Sequence, residues 1–152
     1  MKFKIRNVKL EESKQVDEFL TKLIHDEKKY DENINENFTV DSFYKNYVDN
    51  ENLCLAIAVN ENDDILGYIF GYILNLGNVD IEKVAKLDAL YIEENYRKNN
   101  IGNSLIEYFK NWSKSKHISY IELSVCKDNL DAISIYSKNN FKDIKNVMRL
   151  KI

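Results

Sequence analysis

Residues 86–116 read KLDALYIEENYRKNNIGNSLIEYFKNWSKSK, and they predict a strand, a basic turn and a helix in succession. Val84 to Ile92 is rich in aliphatic residues, which favours a strand. After the turn, apolar residues recur at the three- and four-residue spacing that places them on one face of a helix. They are Ile101, Leu105, Ile106, Phe109 and Trp112.

The turn between them, Arg97 to Gly102, lies where the first backbone N–H groups of that helix emerge. Such groups have no acceptor within a helix, and the helix dipole adds partial positive charge at the same place. With Arg97 and Lys98 beside them, they favour an anion, most naturally a phosphate or pyrophosphate. A solvated basic turn explains the same residue types, so both interpretations stay open on composition alone.

The apolar positions of the strand change phase along its length. Before Ala89 the odd positions are apolar and alternate with Lys86 and Asp88, whereas beyond it Leu90 and Ile92 are apolar. A β-bulge leaves such a shift, because one extra residue moves the following side chains to the other face. A strand buried on both faces at one end leaves it too, and both explanations fit.

The remaining segments predict an α/β fold with a mixed sheet of about seven strands, helices on both faces, and a single domain over residues 1–152. Gly67 and Gly71 interrupt one strand and indicate a bulge or a close backbone approach. The further predicted strands are residues 3–8, 53–59, 65–74, 118–125, 141–144 and 147–152, and the further predicted helices are residues 10–30, 40–48 and 129–138.

Composition narrows the class of protein. A length of 152 residues with 44% hydrophobic and 31% charged residues is typical of a globular domain. A net charge of −3 argues mildly against nucleic acid as a partner. We find no signal peptide and no apolar run of roughly 18 residues, so we expect a soluble cytoplasmic protein without a membrane segment. Cys54 and Cys126 lack metal-ligand spacing, so we expect reduced thiols and no metal site.

Two motifs resemble those of the GCN5-related N-acetyltransferase (GNAT) family. The family's acetyl-CoA signature is Gln/Arg-x-x-Gly-x-Gly/Ala after the fourth strand, and residues 97–102 read RKNNIG at the matching place. A second family pattern, Asn-x-x-Ala-x-x-x-Tyr-x-x-x-Gly-Phe, resembles Asn129, Ala132, Tyr136 and Phe141. The order of elements also matches, so the resemblance implies a GNAT-like acyl-CoA N-acyltransferase fold over nearly the whole chain.

Asparagine stands where both family motifs have glycine, at Asn100 and Asn140. Asparagine is the non-glycine residue that most readily adopts a positive φ. We therefore expect both backbone turns to form.

The resemblance implies a site for acetyl-CoA as cosubstrate. Backbone amides of the turn would hold the pyrophosphate, with Arg97 adding charge. The strand edge at Leu90 to Ile92 would pair with the pantetheine arm, and the Leu90 N–H would face the developing oxyanion. Asn129 would bind the pantetheine, cap the following helix, or both. The implied cofactor-binding residues are Leu90, Tyr91, Ile92, Arg97, Lys98, Asn99, Asn100, Ile101, Gly102, Asn103, Asn129 and Tyr136.

The resemblance also implies proton-transfer groups. Tyr136 would protonate the departing thiolate as general acid, although a tyrosine on a short helix is also a common packing residue. Asp88 is the candidate base for the attacking amine and Glu122 a weaker one, while an exposed strand carboxylate explains Asp88 equally. His25 and Tyr30 stay open as substrate contacts. The implied catalytic set is Tyr136, Asp88 and Leu90, with no metal.

The resemblance thus implies an N-acetyltransferase that moves an acetyl group from acetyl-CoA to a primary amine of a small molecule or peptide, by direct attack in a ternary complex. No cysteine has an evident partner base, which argues against a covalent acyl-enzyme. The alternative is a catalytically inactive acyl-CoA-binding sensor or regulatory module. A nucleotide-binding domain ranks below both, because the chain lacks the glycine motifs of phosphate loops. The amine acceptor and homodimerisation stay open.

Overall fold

A mixed sheet of five strands, in the order β1-β2-β3-β4-β5, forms the centre of the computed structural model, which describes residues 1–152. The first four strands pair antiparallel and the last pair is parallel. The elements are β1 Lys4–Asn7, α1 Ser13–Glu27, β2 Leu53–Val59, β3 Ile65–Ile73, β4 Val84–Ile92, α2 Ile101–Ser115, β5 Tyr120–Glu122 and α3 Leu130–Lys138, with single 3-10 turns at Leu10–Glu12, Tyr44–Asn46 and Glu94–Tyr96.

A separate hydrophobic core fills each face of the sheet. On one face, Val16 and Phe19 of α1 pack with Tyr68 and with other buried residues of β2 and β3. On the other face, Ile106 and Phe109 of α2 pack with side chains that point the opposite way from the same strands. The prediction of helices on both faces is therefore confirmed, and the strands read as continuous apolar runs because both of their faces are buried.

The segment at 40–48 does not form the helix predicted for it. Only the single turn Tyr44–Asn46 is helical, because Ser42 and Asp49 take positive φ values of 59° and 61° that end a right-handed helix on either side. The buried Asp17 side chain accepts a hydrogen bond from the Tyr44 N–H (3.0 Å), which fixes this turn against α1. The apolar spacing that favoured a helix therefore comes from aromatic side chains packed in an irregular loop.

A β-bulge interrupts β4 at Asp88. Phe70 of β3 pairs with Ala89 and the next residue, Gly71, pairs with Leu87, so Asp88 is the extra residue. Leu87 belongs to the α2-side core and Ala89 to the α1-side core, so the bulge moves the odd side chains to the other face. Of the two explanations for the phase change, the bulge is correct.

Gly71 lies opposite this bulge because a side chain has no room there. A Cβ at Gly71 would overlap the Lys86 carbonyl and the Phe109 ring. The glycine therefore permits both the register shift and the close approach of α2 to the sheet.

The two closing strands predicted for residues 141–144 and 147–152 are absent, so the sheet has five strands rather than about seven. No residue from 142 to 152 takes part in a backbone–backbone hydrogen bond. The segment is instead held by side chains, since both Arg149 amino groups donate to the Asp31 carboxylate (2.6 and 2.8 Å). A strand pattern in a sequence does not by itself specify a partner edge, and this segment pairs with none.

Candidate functional site

A cleft opens between β4 and β5, the last two strands of the sheet. β5 pairs only with Val84, Ala85 and Lys86, whereas β4 continues to Ile92 with no strand on that side. Along this free edge the Leu90 and Ile92 side chains pack toward the α2-side core, and Tyr91 is buried toward α1. A free strand edge beside a cleft is suited to pairing with an extended ligand.

The turn at the end of this cleft exposes a run of backbone donors. None of the N–H groups from Lys98 to Asn103 donates to another atom of the chain. Lys98 and Asn100 have positive φ values of 64° and 62°, which curve the chain so that successive N–H groups converge. Such a concavity at a helix N-terminus binds anions.

Gly102 leaves this concavity open. A Cβ built at Gly102 meets no atom within 4 Å, so the space in front of the first turn of α2 is free of protein. The donors and the open space together fit the pyrophosphate of acetyl-CoA.

Arg97, expected to add charge at the anion site, makes several contacts within the chain. Its N–H donates to the Glu94 carbonyl (3.2 Å) and its Nε to the Ile92 carbonyl (3.0 Å). Its Nη2 donates to Asp26 at the end of α1 (3.1 Å), and its guanidinium lies over the Tyr91 ring. Arg97 therefore fixes the path of the chain from β4 into the turn.

A chain of asparagine side chains ties the turn to α3. Asn103 donates to the Asn100 side chain (2.6 Å), and Asn139 donates to the Asn103 side chain (2.8 Å). This engagement holds the Asn100 side chain along α2. The Asn99 side chain closes the turn from within, because it donates to the Tyr96 and Arg97 carbonyls (3.1 and 3.2 Å).

Tyr136 is held in place by the end of α3. Asn140 takes a positive φ of 68°, the Phe141 N–H donates to the Tyr136 carbonyl (3.1 Å), and the Asn140 N–H donates to the Ser137 carbonyl (3.0 Å). This is a Schellman C-cap, which brings the residue after the cap onto the last turn of the helix. The Phe141 and Tyr136 rings accordingly pack edge to face, 5.7 Å apart. The spacing Tyr-x-x-x-Asn-Phe is therefore the sequence pattern of a cap that orients Tyr136.

The Tyr136 hydroxyl is protonated at neutral pH. Burial raises its pKa to about 12, and the nearby charge of Glu27 adds to the effect. Its ring packs against the α2-side core, while its hydroxyl makes no hydrogen bond within the chain. At the other end of α3, the Asn129 side chain accepts a hydrogen bond from the Ala132 N–H (3.2 Å), so the expected cap is present.

Carboxylates converge from the α1 side of the cleft. Burial raises the pKa of Glu27, the last residue of α1, and the charges of Asp31 and Asp88 raise it further. Burial raises the pKa of Tyr44 and Tyr68, whose hydroxyl oxygens are 3.2 Å apart, and the charge of Asp88, exposed in the bulge, raises both further. The bulge therefore leaves the ionisable side chain of Asp88 exposed.

A sequence profile of the Acetyltransferase (GNAT) family matches residues 18–141. The chain belongs to this family. No curated protein sequence matches it significantly.

Solved structures share the GNAT fold of the chain. A mutant of the BH1408 protein from Bacillus halodurans is 22% identical with a TM-score of 0.86, and the alignment covers 98% of this chain and 99% of that one. An aminoglycoside acetyltransferase from an uncultured soil metagenomic sample is 18% identical with a TM-score of 0.71, covering 99% and 95%. Glucosamine-6-phosphate N-acetyltransferase from Arabidopsis thaliana is 14% identical with a TM-score of 0.72, covering 99% of each chain.

Glu27 is the residue at this GNAT site that motif reasoning missed. It follows Leu20, Leu23 and Ile24 at spacings of seven, four and three residues, and therefore lies on the apolar face of α1. The sequence signal for Glu27 was a carboxylate on the otherwise apolar face of a predicted helix.

The weaker candidates at the GNAT site have other surroundings. His25 Nε2 contacts the Phe38 carbonyl (2.8 Å) in the loop after α1. Glu122 lies opposite Lys86 in the sheet, and its carboxylate makes no hydrogen bond. The structure contains no group of three or more His, Cys, Asp or Glu side chains arranged for a metal ion. None of its helices is long and apolar enough to cross a membrane.

Proposed function

We propose that the chain transfers the acetyl group of acetyl-CoA to a primary amine of a small molecule or peptide by direct attack in a ternary complex. The observation that carries this proposal is the run of free N–H groups from Lys98 to Asn103 at the end of the cleft between β4 and β5. Acetyl-CoA, when bound, supplies the activated thioester that an amine can attack. Residues of this chain must bind the donor, stabilise the charge that develops on the thioester oxygen, and transfer protons.

The turn and the strand edge hold the donor. The free N–H groups bind the pyrophosphate, and Gly102 lets the backbone approach it closely. The outer edge of β4 at Leu90 and Ile92 pairs with the amide-bearing arm, as an added strand does. The Leu90 N–H, two residues after the bulge, stabilises charge on the thioester oxygen.

Proton transfer completes the reaction. The cationic amine first loses one proton to the Glu27 carboxylate. A C–N bond then forms and the C–S bond breaks, and the second proton lost by the nitrogen replaces the one that Tyr136 gives to the departing sulfur, while Asp88 adds negative charge beside the amine. Glu27 is suited to act as the base near neutral pH, because burial raises its pKa toward the operating range. Tyr136, which is protonated because burial raises its pKa, donates its proton to the departing sulfur.

The acceptor is a cationic amine in this proposal. Carboxylates of Glu27 and Asp88 face the position of the nucleophile, and such groups attract an ammonium before it is deprotonated. The aminoglycoside and amino-sugar acetyltransferases with this fold have acceptors of related chemistry. We expect the reaction to take place in the cytoplasm and to require no nucleic acid.

Thermal unfolding with and without acetyl-CoA tests the donor site, with ATP as the control ligand. At 100 times its dissociation constant a ligand adds roughly 2.7 kcal/mol, which is about 5–10 °C for a domain of this size. A panel of polyamines, amino sugars and peptides with free CoA thiol as the readout then tests catalysis. Absence of any shift at millimolar acetyl-CoA contradicts the proposal. A shift without turnover of any amine would favour the non-catalytic binding module.

A further inference from the structure

Four aromatic rings lie side by side on the α1 side of the sheet, and we call them the aromatic wall. Phe70 and Tyr72 belong to β3, whereas Phe43 and Tyr47 belong to the segment 28–52 between α1 and β2. The Phe43 ring centroid lies 5.0 Å from that of Tyr47 and 6.3 Å from that of Phe70. The Phe70 centroid in turn lies 5.9 Å from those of Tyr47 and Tyr72.

The outer rings of the wall keep part of their surface in solvent. Phe70 is buried, whereas Phe43 is 37% exposed and Tyr47 and Tyr72 are half-buried. Aromatic surface gains free energy when an apolar partner displaces water from it. The three outer rings therefore offer contact area to the apolar part of a bound molecule.

Buried contacts fix the segment that carries Phe43 and Tyr47. Tyr44, which is fully buried next to Phe43, donates its N–H to the buried Asp17 side chain of α1 (3.0 Å). Its hydroxyl oxygen lies 3.2 Å from that of Tyr68 in β3. The segment is thus attached to both α1 and the sheet, so the wall is formed before a ligand arrives. A preformed surface costs less ordering on binding.

The wall lies beside the bulge of β4. Phe70 pairs with Ala89, the residue after Asp88, and Tyr72 pairs with Lys86, two residues before it. Burial raises the pKa of Tyr72, and the charge of Asp88 raises it further. An exposed carboxylate and a partly exposed aromatic surface are therefore neighbours on the side of the sheet where the proposed base lies.

We propose that Phe43, Tyr47 and Tyr72 bind the body of the acceptor and thereby select primary amines whose body is apolar, aromatic or aliphatic. This inference rests on the proposed function and names the class of acceptor for it. The ammonium end of such an amine faces Asp88, and its carbon body packs on the rings. A polyhydroxylated amine such as an amino sugar would lose hydrogen bonds to water on these rings and gain none in return.

Steady-state kinetics with amines of equal charge is the first test. Phenylethylamine, hexylamine and glucosamine each carry a single ammonium group, and release of free CoA thiol at saturating acetyl-CoA reports turnover. We expect kcat/KM for phenylethylamine and hexylamine to exceed that for glucosamine by roughly tenfold or more, because contacts of an apolar body discriminate by such factors. Equal values, or a preference for glucosamine, overturn the inference.

Two ring truncations locate the contact. Phe43→Ala and Tyr47→Ala should each raise the KM for phenylethylamine by roughly tenfold, with little change in kcat or in the KM for acetyl-CoA. Tyr120→Ala truncates an exposed ring on β5 and is the matched control, which should leave all three constants unchanged. An unchanged KM for phenylethylamine in both wall variants overturns the inference, as does an equal rise in the KM for glucosamine.

Binding measured without turnover separates this inference from the proposed function. In the unmodified protein with CoA bound, phenylethylamine should shift the NMR signals of the Phe43 and Tyr47 rings, and glucosamine at the same concentration should not. Ring signals that do not shift overturn the inference, whichever amines are acetylated. Shifted rings without turnover of any amine would support the inference and contradict the proposed function alone.

Discussion

At the scale of single residues, two asparagines hold backbone turns that glycine holds elsewhere in the family. Asn100 and Asn140 have φ values of 62° and 68°, and the sequence predicted both because asparagine tolerates this region. The side chain of Asn100 is bound to Asn103, a contact that glycine cannot make. Asparagine in place of glycine at position 100 therefore restricts the backbone and adds a side-chain hydrogen bond that fixes the first turn of α2.

Tyr136→Phe tests the proton donor. The substitution removes only the hydroxyl, so the Schellman cap and the contact with Phe141 should survive. We expect kcat to fall by about 10²–10⁴-fold with little change in the KM for acetyl-CoA. Tyr120→Phe, at an exposed tyrosine of β5, is the matched control and should retain full activity. Equal losses in both variants would mean that the Tyr136 hydroxyl has no special role.

The pH dependence of kcat/KM tests Glu27 as the base. A base acts in its deprotonated form, and burial with the charges of Asp31 and Asp88 raises the Glu27 pKa, so activity should rise with pH above the usual range of a glutamate. Asp88→Asn removes one of those charges and should move this rise to lower pH. Glu27→Gln should abolish it. An unmoved rise in Asp88→Asn would assign the titration to another group, such as the amine itself.

At the scale of elements, the strand–turn–helix unit of β4 and α2 is the part best predicted from sequence. The helix, the strand and the basic turn of this unit are each determined by residues close together in the sequence. The local pattern is therefore enough to predict them. The final strands at 141–144 and 147–152 were wrongly placed in the sheet, because pairing needs an edge that the sequence pattern does not specify. The acidic side of the site was only partly foreseen, since Glu27 approaches Asp88 through packing of α1.

Gly102→Ala separates binding from stability in α2. No atom lies within 4 Å of a Cβ at this position, and alanine favours a helix over glycine by up to about 1 kcal/mol. We expect an equal or higher melting temperature together with acetyl-CoA binding weakened by roughly tenfold or more. Asn111→Ala, exposed on the same helix, should not change the affinity measured by calorimetry. Unchanged affinity for acetyl-CoA in Gly102→Ala would contradict binding of the pyrophosphate at this turn.

Gly71→Ala tests the close approach of β3 and α2 at the bulge. The added methyl would overlap the Lys86 carbonyl and the Phe109 ring, and neither can move freely because both are in packed elements. We expect the free energy of unfolding to fall by about 1–3 kcal/mol or more, measured by urea denaturation. Gly102→Ala is the control for the same change where space is free. A Gly71→Ala variant as stable as that control would contradict the packing described.

At the scale of the whole molecule, two cores on one sheet leave the part of the chain after α2 less firmly attached. β5 joins the sheet through three residues, and no residue of α3 is fully buried. The side chain of Asn139 connects α3 to α2 through Asn103, and Lys110 donates to Asn139 (3.3 Å). The fold therefore has a larger part, which contains β1 to β4, α1 and α2 with the two cores, and a smaller part, which contains β5 and α3 and carries Tyr136.

β4 and β5 pair over only three residues. This short pairing implies that bound acetyl-CoA, by contacting both sides of the cleft, stabilises the attachment of β5 and α3 to the rest of the sheet. Limited proteolysis should show this. After the expected cuts at exposed lysines of the unpaired segment 142–152, trypsin should next cut the free protein beside exposed Lys127 or Lys138. Saturating acetyl-CoA should slow the cuts at Lys127 and Lys138, because it fills the cleft, whereas ATP should not. Earlier cuts elsewhere within residues 1–141, or cuts at these two lysines that acetyl-CoA leaves unchanged, would argue against two parts. If acetyl-CoA does slow these cuts, β5 and α3 are firmly held against the rest of the fold only while acetyl-CoA is bound. They would become more mobile each time the product CoA leaves.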